Sequence, residues 1–173
     1  MSAFLDLLRN RRSIRRYTDE PIDKGVRSRL EEALLRSPTS KNKEPWTFTF
    51  VDDPEHIAAL SKCKPHGASL LAGAALAVVV SAEAGISDVW VEDCSIATIL
   101  LQLTAQDLGL GSCWVQVRRR QHQDGRSAGE HVKEAIGLPD SQKVLSIVAL
   151  GHPAHERQGR AADDLKWGQI RRS

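Results

Sequence analysis

At 173 residues, with 41% hydrophobic and 27% charged residues, the chain has the composition of one ordinary globular domain. A chain of this size buries about two-thirds of its unfolded surface, so it needs no disulfide or metal to stay folded. A formal net charge of +2 gives no global pull towards nucleic acid or a membrane surface, so any anion site must be local.

Ser2 is a candidate N-cap for a helix in which Phe4, Leu7 and Leu8 recur at helical spacing. RRSIRRY at 11–17 follows, with four arginines in seven positions. A guanidinium is a rigid, permanently charged fork that grips phosphate oxygens in pairs, and a serine adds a donor. The run therefore reads either as a phosphate grip or as a solvated charged turn. Asp23 caps a second helix with Val26, Leu30, Ala33 and Leu34 inward and Arg36 in its last turn, ended by Pro38. SPTSKNKEPW (37–46) is a polar loop, and WTFTFV (46–51) alternates as a strand does. Asp53 and Pro54 make a strong helix start. A short helix is expected over 65–74, then a strand buried on both faces over 76–82.

The segment 93–109 predicts a helix capped by Asp93 and stopped at Gly109. It is apolar on nearly all sides, so it lies at the centre of the domain or is shared with a second subunit. Strands at 111–117 and 143–151 flank a polar, solvated loop (118–129) and a helix (130–137). The tail from 152 to 173 has no apolar period and is expected to wrap a surface or a partner. The tally is four strands interleaved with five helices, hence α/β or α+β.

Several chemistries are excluded or weak. The longest apolar run, 68–82, is shorter than the ~20 residues of a membrane span. Cys63, Cys94 and Cys113 are odd in number and lack CxxC spacing, which argues against a disulfide framework or zinc and fits a reducing cytoplasm. Cys63, between Lys62 and Lys64, reads as a plain helix-surface cysteine. GLG at 109–111 follows a helix rather than a strand, the wrong context for a dinucleotide fingerprint. His131 and Glu134 lack the second histidine of HExxH, and Ser13, Ser40 and Ser112 lack a GxSxG elbow. No side chain stands out as nucleophile or general base, so an enzyme of this sequence would depend on a cofactor.

Four segments in order resemble the FMN-dependent nitroreductase family: RRSIRRY, ALLRSPTSKNKEPWTF, CSIATILLQLTAQDLGLGSCWV and SIVALGHPAHERQGR. The resemblance implies a single α+β domain over 1–173 in three layers (α/β/α), with a mixed, mainly antiparallel sheet of 4–5 strands. It also implies a homodimer with FMN at the subunit interface. Arg11, Arg12 and Ser13 inherit the phosphate grip, and Arg15 the pyrimidine edge of the flavin. Ser40 and Asn42, with Arg36 as a further contact, would reach the flavin across the interface. Trp114, Val115 and Gln116 would pass beside the ring. Gly151, His152 and one of Arg157 or Arg160 would return to the phosphate.

The implied activity is hydride transfer from NAD(P)H through flavin N5 to a nitroaromatic, quinone or similar acceptor, in alternating half-reactions. No side chain need be a catalytic acid or base, and no metal, nucleic acid or membrane is involved. Glu44 stands where relatives often carry glutamine before Pro-Trp, and the length leaves little room for the helical insertion that covers the flavin in larger members. The basic loop at 118–129 keeps two readings, recruitment of a phosphorylated nicotinamide or no role. Two rival functions stay open: a flavin-binding protein without turnover, and a cofactor-free adaptor that binds an acidic partner through RRRQHQ and the RR tail.

Overall fold

The computed structural model describes residues 2–172. Five helices, α1 (Ala3–Asn10), α2 (Lys24–Leu35), α3 (Pro54–Leu60), α4 (Trp90–Asp107) and α5 (Ala128–Ile136), surround four strands. The strands are β1 (Trp46–Val51), β2 (Leu76–Glu83), β3 (Gly111–Gln116) and β4 (Gln142–Gly151), in the order β1-β2-β4-β3. All three strand pairs are antiparallel, and the single parallel element is the isolated bridge Ser13↔Ser112.

Period-two alternation on β2 explains the layers. Val78 and Val80 face Leu30, Leu34, Ala97 and Leu101 of α2 and α4. Ala77 and Val79 face Ile57 and Leu60 of α3, Leu71, and Val132 of α5. Both faces of the central strands are covered, which is why their sequences run apolar without interruption. The result is the three-layer α+β arrangement that the sequence implied.

Local chemistry sets most boundaries. The Asp53 carboxylate accepts from the His56 N–H and Pro54 follows, as expected of a helix start. Asp23 accepts from the Gly25 N–H at 2.7 Å. Helix α5 opens with a capping box, Ser127 with Glu130, and stops at Gly137 in the left-handed conformation.

Four expectations change. Helix α4 begins at Trp90, so Asp93 lies inside its first turn and is not the cap; its carboxylate is buried instead. Over 65–74 only a 3₁₀ turn forms, Ser69–Gly73. Cys63 is fully buried, because the chain turns inward after α3 to fill the core there. Burial pushes its thiol up against the pull of Lys64, so it is neither a surface cysteine nor a ready thiolate. The 118–129 loop is anchored on α5 by His122, whose ring stacks on His131 at 4.2 Å, and by Arg126, which pairs with Asp124 and Glu134.

Among the described residues no helix is long and apolar enough to cross a membrane. The tail from Gly151 onwards runs back over α1: Ala154 N–H donates to Arg16 O, and Gly159 packs directly on Arg9 O.

Candidate functional site

The arginine segment is bolted to the end of the edge strand β3. Ile14 N–H donates to Ser112 O at 2.9 Å, which makes the Ser13↔Ser112 bridge. Three residues on, Tyr17 O–H donates to Ile14 O at 2.7 Å, with Ala149 O at 3.3 Å as the longer alternative. Burial pushes this phenol well above its usual range, so it stays a donor. Thr18 N–H then donates to His152 O. Residues 13–18 thus lie against both β3 and the exit of β4.

Glycine is required where the segments meet. A Cβ on Gly111 would come within 2.8 Å of the Ile14 side chain, and one on Gly151 within 3.0 Å of the Tyr17 ring. Gly111→Ala is therefore expected to displace Ile14 and lower stability by about 1–3 kcal/mol, as overpacking does. Thermal unfolding of the variant checks this; an unchanged midpoint would show that the segment yields without strain.

The tail closes the site from the other side. Arg12 donates to Gln158 O at 2.7 Å, and Arg157 donates to Ser13 O at 3.3 Å. Between them lies a groove of about 430 Å³ lined by Arg12, Arg157, Gly109, Gly111 and Gly159 among others. A second hollow of about 520 Å³ adjoins it, bounded by Arg11, Arg12, Arg160 and Asp164. Among the described residues, no carboxylate lies within 4.0 Å of Arg11, Arg12, Arg157 or Arg160, whereas Arg9 beside them is paired with Asp6. Four guanidinium groups without a paired carboxylate, spread over two adjoining hollows that also carry Glu156 and Asp164, leave an excess of positive charge that favours an anion there.

The strand itself carries a polar track. Trp114 Nε1–H donates to Gln116 Oε1, and Gln116 Nε2–H donates to Arg118 O, both at 2.9 Å. Lys64 Nζ donates to Gln116 O at 2.8 Å. Burial pulls the Lys64 ammonium below its usual value; the nearby Cys63 opposes this and Arg120 reinforces it. Cys113, also buried and pushed up, feels the charges of Arg15, Arg11 and Lys64. The fields of these three cations therefore converge on the middle of β3.

Not every expected residue joins this cluster. Arg11, Arg12, Ser13, Arg157 and Arg160 gather at the arginine hollows, and Gly151 lies in register with Gly111. The His152 ring points towards Glu20, with 3.8 Å between Nε2 and the carboxylate. Val115 is 1% exposed with its side chain in the core, so only its backbone can face a ligand. Arg36 pairs with Glu32, and Ser40 and Asn42 form a 3₁₀ turn; none of the three lines the hollows. That turn is held by Asp93, whose carboxylate accepts from Ser40 N–H at 2.9 Å and Ser87 O–H at 3.0 Å. Lys64 and the role of Asp93 escaped the sequence reading. The only hint was an acid among apolar residues and a lysine beside a buried cysteine.

The family model described as "Nitroreductase family" matches residues 8–64 and 64–152. The chain belongs to the nitroreductase family. A protein of Archaeoglobus fulgidus with the provisional name NADH dehydrogenase/NAD(P)H nitroreductase is 36% identical over 169 residues, 95% of this chain and 93% of that one. The solved FMN-dependent nitroreductase of Clostridium difficile R20291 is 37% identical and superposes with a TM-score of 0.95, over 96% of this chain and 97% of that one. A nitroreductase of Desulfovibrio desulfuricans, also provisionally named and solved in complex with FMN, shares the fold at 22% identity, with a TM-score of 0.81 over 100% and 98% of the two chains.

Proposed function

We propose that this nitroreductase-family chain is an FMN-dependent oxidoreductase that draws electrons from NAD(P)H. The observation that carries the reading is the convergence of Arg11, Arg12, Arg157 and Arg160, all without carboxylate partners, on adjoining hollows at the start of β3. That donor set fits a phosphate monoester, and Gly111 and Gly159 let the segments that carry it pack directly on Ile14 and on the Arg9 carbonyl. The relatives described as FMN-dependent or NAD(P)H-linked support the same assignment.

In this reading Arg11, Arg12 and Ser13 hold the phosphate together with Arg157, Arg160 and the backbone at Gly151–His152. Arg15, exposed and acting on Cys113, sets positive charge beside β3, where Trp114, Val115 and Gln116 offer one edge of the strand. When bound, FMN would supply the redox chemistry, taking hydride from NAD(P)H and passing it to an electron-poor acceptor such as a quinone or nitroaromatic. The protein positions and polarises; no side chain here is asked to act as acid or base.

We infer a homodimer as the working form. Ile96 and Ile99 on α4 are each 40% exposed although the opposite face of that helix is fully buried. Phe4, Leu5, Leu8, Trp167 and Ile170 add further uncovered apolar surface on α1 and the tail. Arg36, Ser40 and Asn42 would then reach the flavin of the other subunit. The test is direct. The purified protein should be yellow, or become so with FMN, and its visible flavin band should bleach with NAD(P)H. Protein that stays colourless with added FMN would refute the assignment. Tight binding without NAD(P)H oxidation would mark a flavin carrier.

A further inference from the structure

Three arginines just past the proposed ring face have no part in holding the flavin. After Gln116 the chain turns sharply: Val117 and Arg118 N–H groups both donate to Leu145 O, and Arg120 N–H donates to Val117 O. Arg119 takes a φ of 57°, a left-handed conformation that is unfavourable for a non-glycine residue. The turn sets Arg118, Arg119 and Arg120 around a groove of about 280 Å³, with Trp90 from α4 and Lys143 from β4 on its other walls. The Arg118 guanidinium lies over the Trp90 ring, 5.7 Å from its centroid, which fixes its position.

The acids nearby are already engaged. Glu130 holds the Ser127 cap, and Asp140 pairs with Lys133. Among the described residues no carboxylate lies within 4.0 Å of Arg118, Arg119, Arg120 or Lys143. Glu130 also lines the groove, but three arginines and Lys143 outnumber it, and a concave site with that excess of positive charge selects a compact, multiply charged anion. The groove is also joined to the proposed ring face by one residue, since Gln116 lies on β3 and its side chain donates to Arg118 O.

NADH and NADPH differ only by a phosphate on the adenosine ribose, remote from the reacting nicotinamide. A donor whose nicotinamide lies beside Gln116 must carry its adenosine end beyond the strand. We propose that the groove of Arg118, Arg119, Arg120 and Lys143 receives this 2′-phosphate and makes the protein selective for NADPH. The proposal rests on the flavin reading above, but the groove can be tested without it.

The test is calorimetric titration of the protein, both without and with added FMN, with adenosine 2′,5′-bisphosphate and with 5′-AMP. It is repeated on R118Q/R119N/R120Q, in which asparagine tolerates the left-handed position. The bisphosphate should bind the unaltered protein roughly tenfold or more tightly than 5′-AMP, and the gap should shrink to about threefold or less in the variant. In parallel, the NADPH-to-NADH ratio of kcat/KM should fall by a similar factor through KM, with NADH turnover kept within about twofold. Equal binding of the two nucleotides by the unaltered protein, or a gap that survives in the variant, would overturn the proposal. A colourless protein would sink the flavin reading alone, because the nucleotide comparison would still decide the groove.

Discussion

Arg12→Ala is expected to weaken FMN binding by about 2–4 kcal/mol, on the order of 30- to 1000-fold, the loss of one or two charge-assisted hydrogen bonds. Arg12 is the arginine common to both hollows, and it also ties the tail through Gln158 O. Its removal takes away charge and releases the segment that carries Arg157 and Arg160. Arg12→Lys separates the two effects: it restores a point charge but not the planar fork, so it should recover only part of the affinity. Fluorescence titration of FMN into each variant reads this out. An alanine variant with unaltered affinity would remove the arginine hollows from the flavin site.

Asp93→Ala should be the most destabilising single change in the α4 layer, by about 2–4 kcal/mol, since it strands two buried donors and opens a void. For a chain of this length that corresponds to a fall of roughly 4–16 °C in Tm. The carboxylate is 3% exposed and receives Ser40 N–H and Ser87 O–H. Asp93→Asn keeps one acceptor and offers its amide to the serine oxygen, so its loss should be smaller. The turn at Ser40 includes Lys41 and Asn42 at φ values of 52° and 53°, with Glu44 at 46° close behind. Loss of the Asp93 anchor leaves that strained turn to its own local hydrogen bonds around Thr39 and Ser40, and faster amide exchange at residues 40–44 should accompany the lower Tm. Alanine and asparagine variants of equal stability would show that the carboxylate is not what holds the turn.

Much of the fold was legible because its signals are local. Alternation in WTFTFV gave β1, the unbroken apolar run gave β2, and Asp53-Pro54 gave the start of α3. The capping box SAGE at 127–130 was equally readable and was passed over, which placed α5 two residues late. Asp93 was misread because an acid before an apolar period looks like a cap; only the packing of Ser87 and Ser40 around it reveals a buried anchor. Cys63 was misplaced because the inward turn after α3 is set by tertiary packing and not by helical period.

The candidate site was legible only through resemblance. Arg157 donates to Ser13 O across 144 residues, and Lys64 donates to Gln116 O across 52. No periodicity spans such separations. The sequence left Arg157 and Arg160 as alternatives. The structure brings both to the arginine hollows, one on each side of Gly159.

The same long-range stitching has a consequence for biosynthesis. Ile14, Thr18 and Arg12 find their partners at Ser112, His152 and Gln158, near the opposite end of the polypeptide. At about 5–20 residues per second, the arginine run is synthesised roughly 7–30 s before Gln158. During that interval Arg11 and Arg12 have no hollow to line. Nascent chains should therefore be unable to capture the cofactor until the segment carrying Arg157, Gln158 and Arg160 has emerged, and loading waits on that segment.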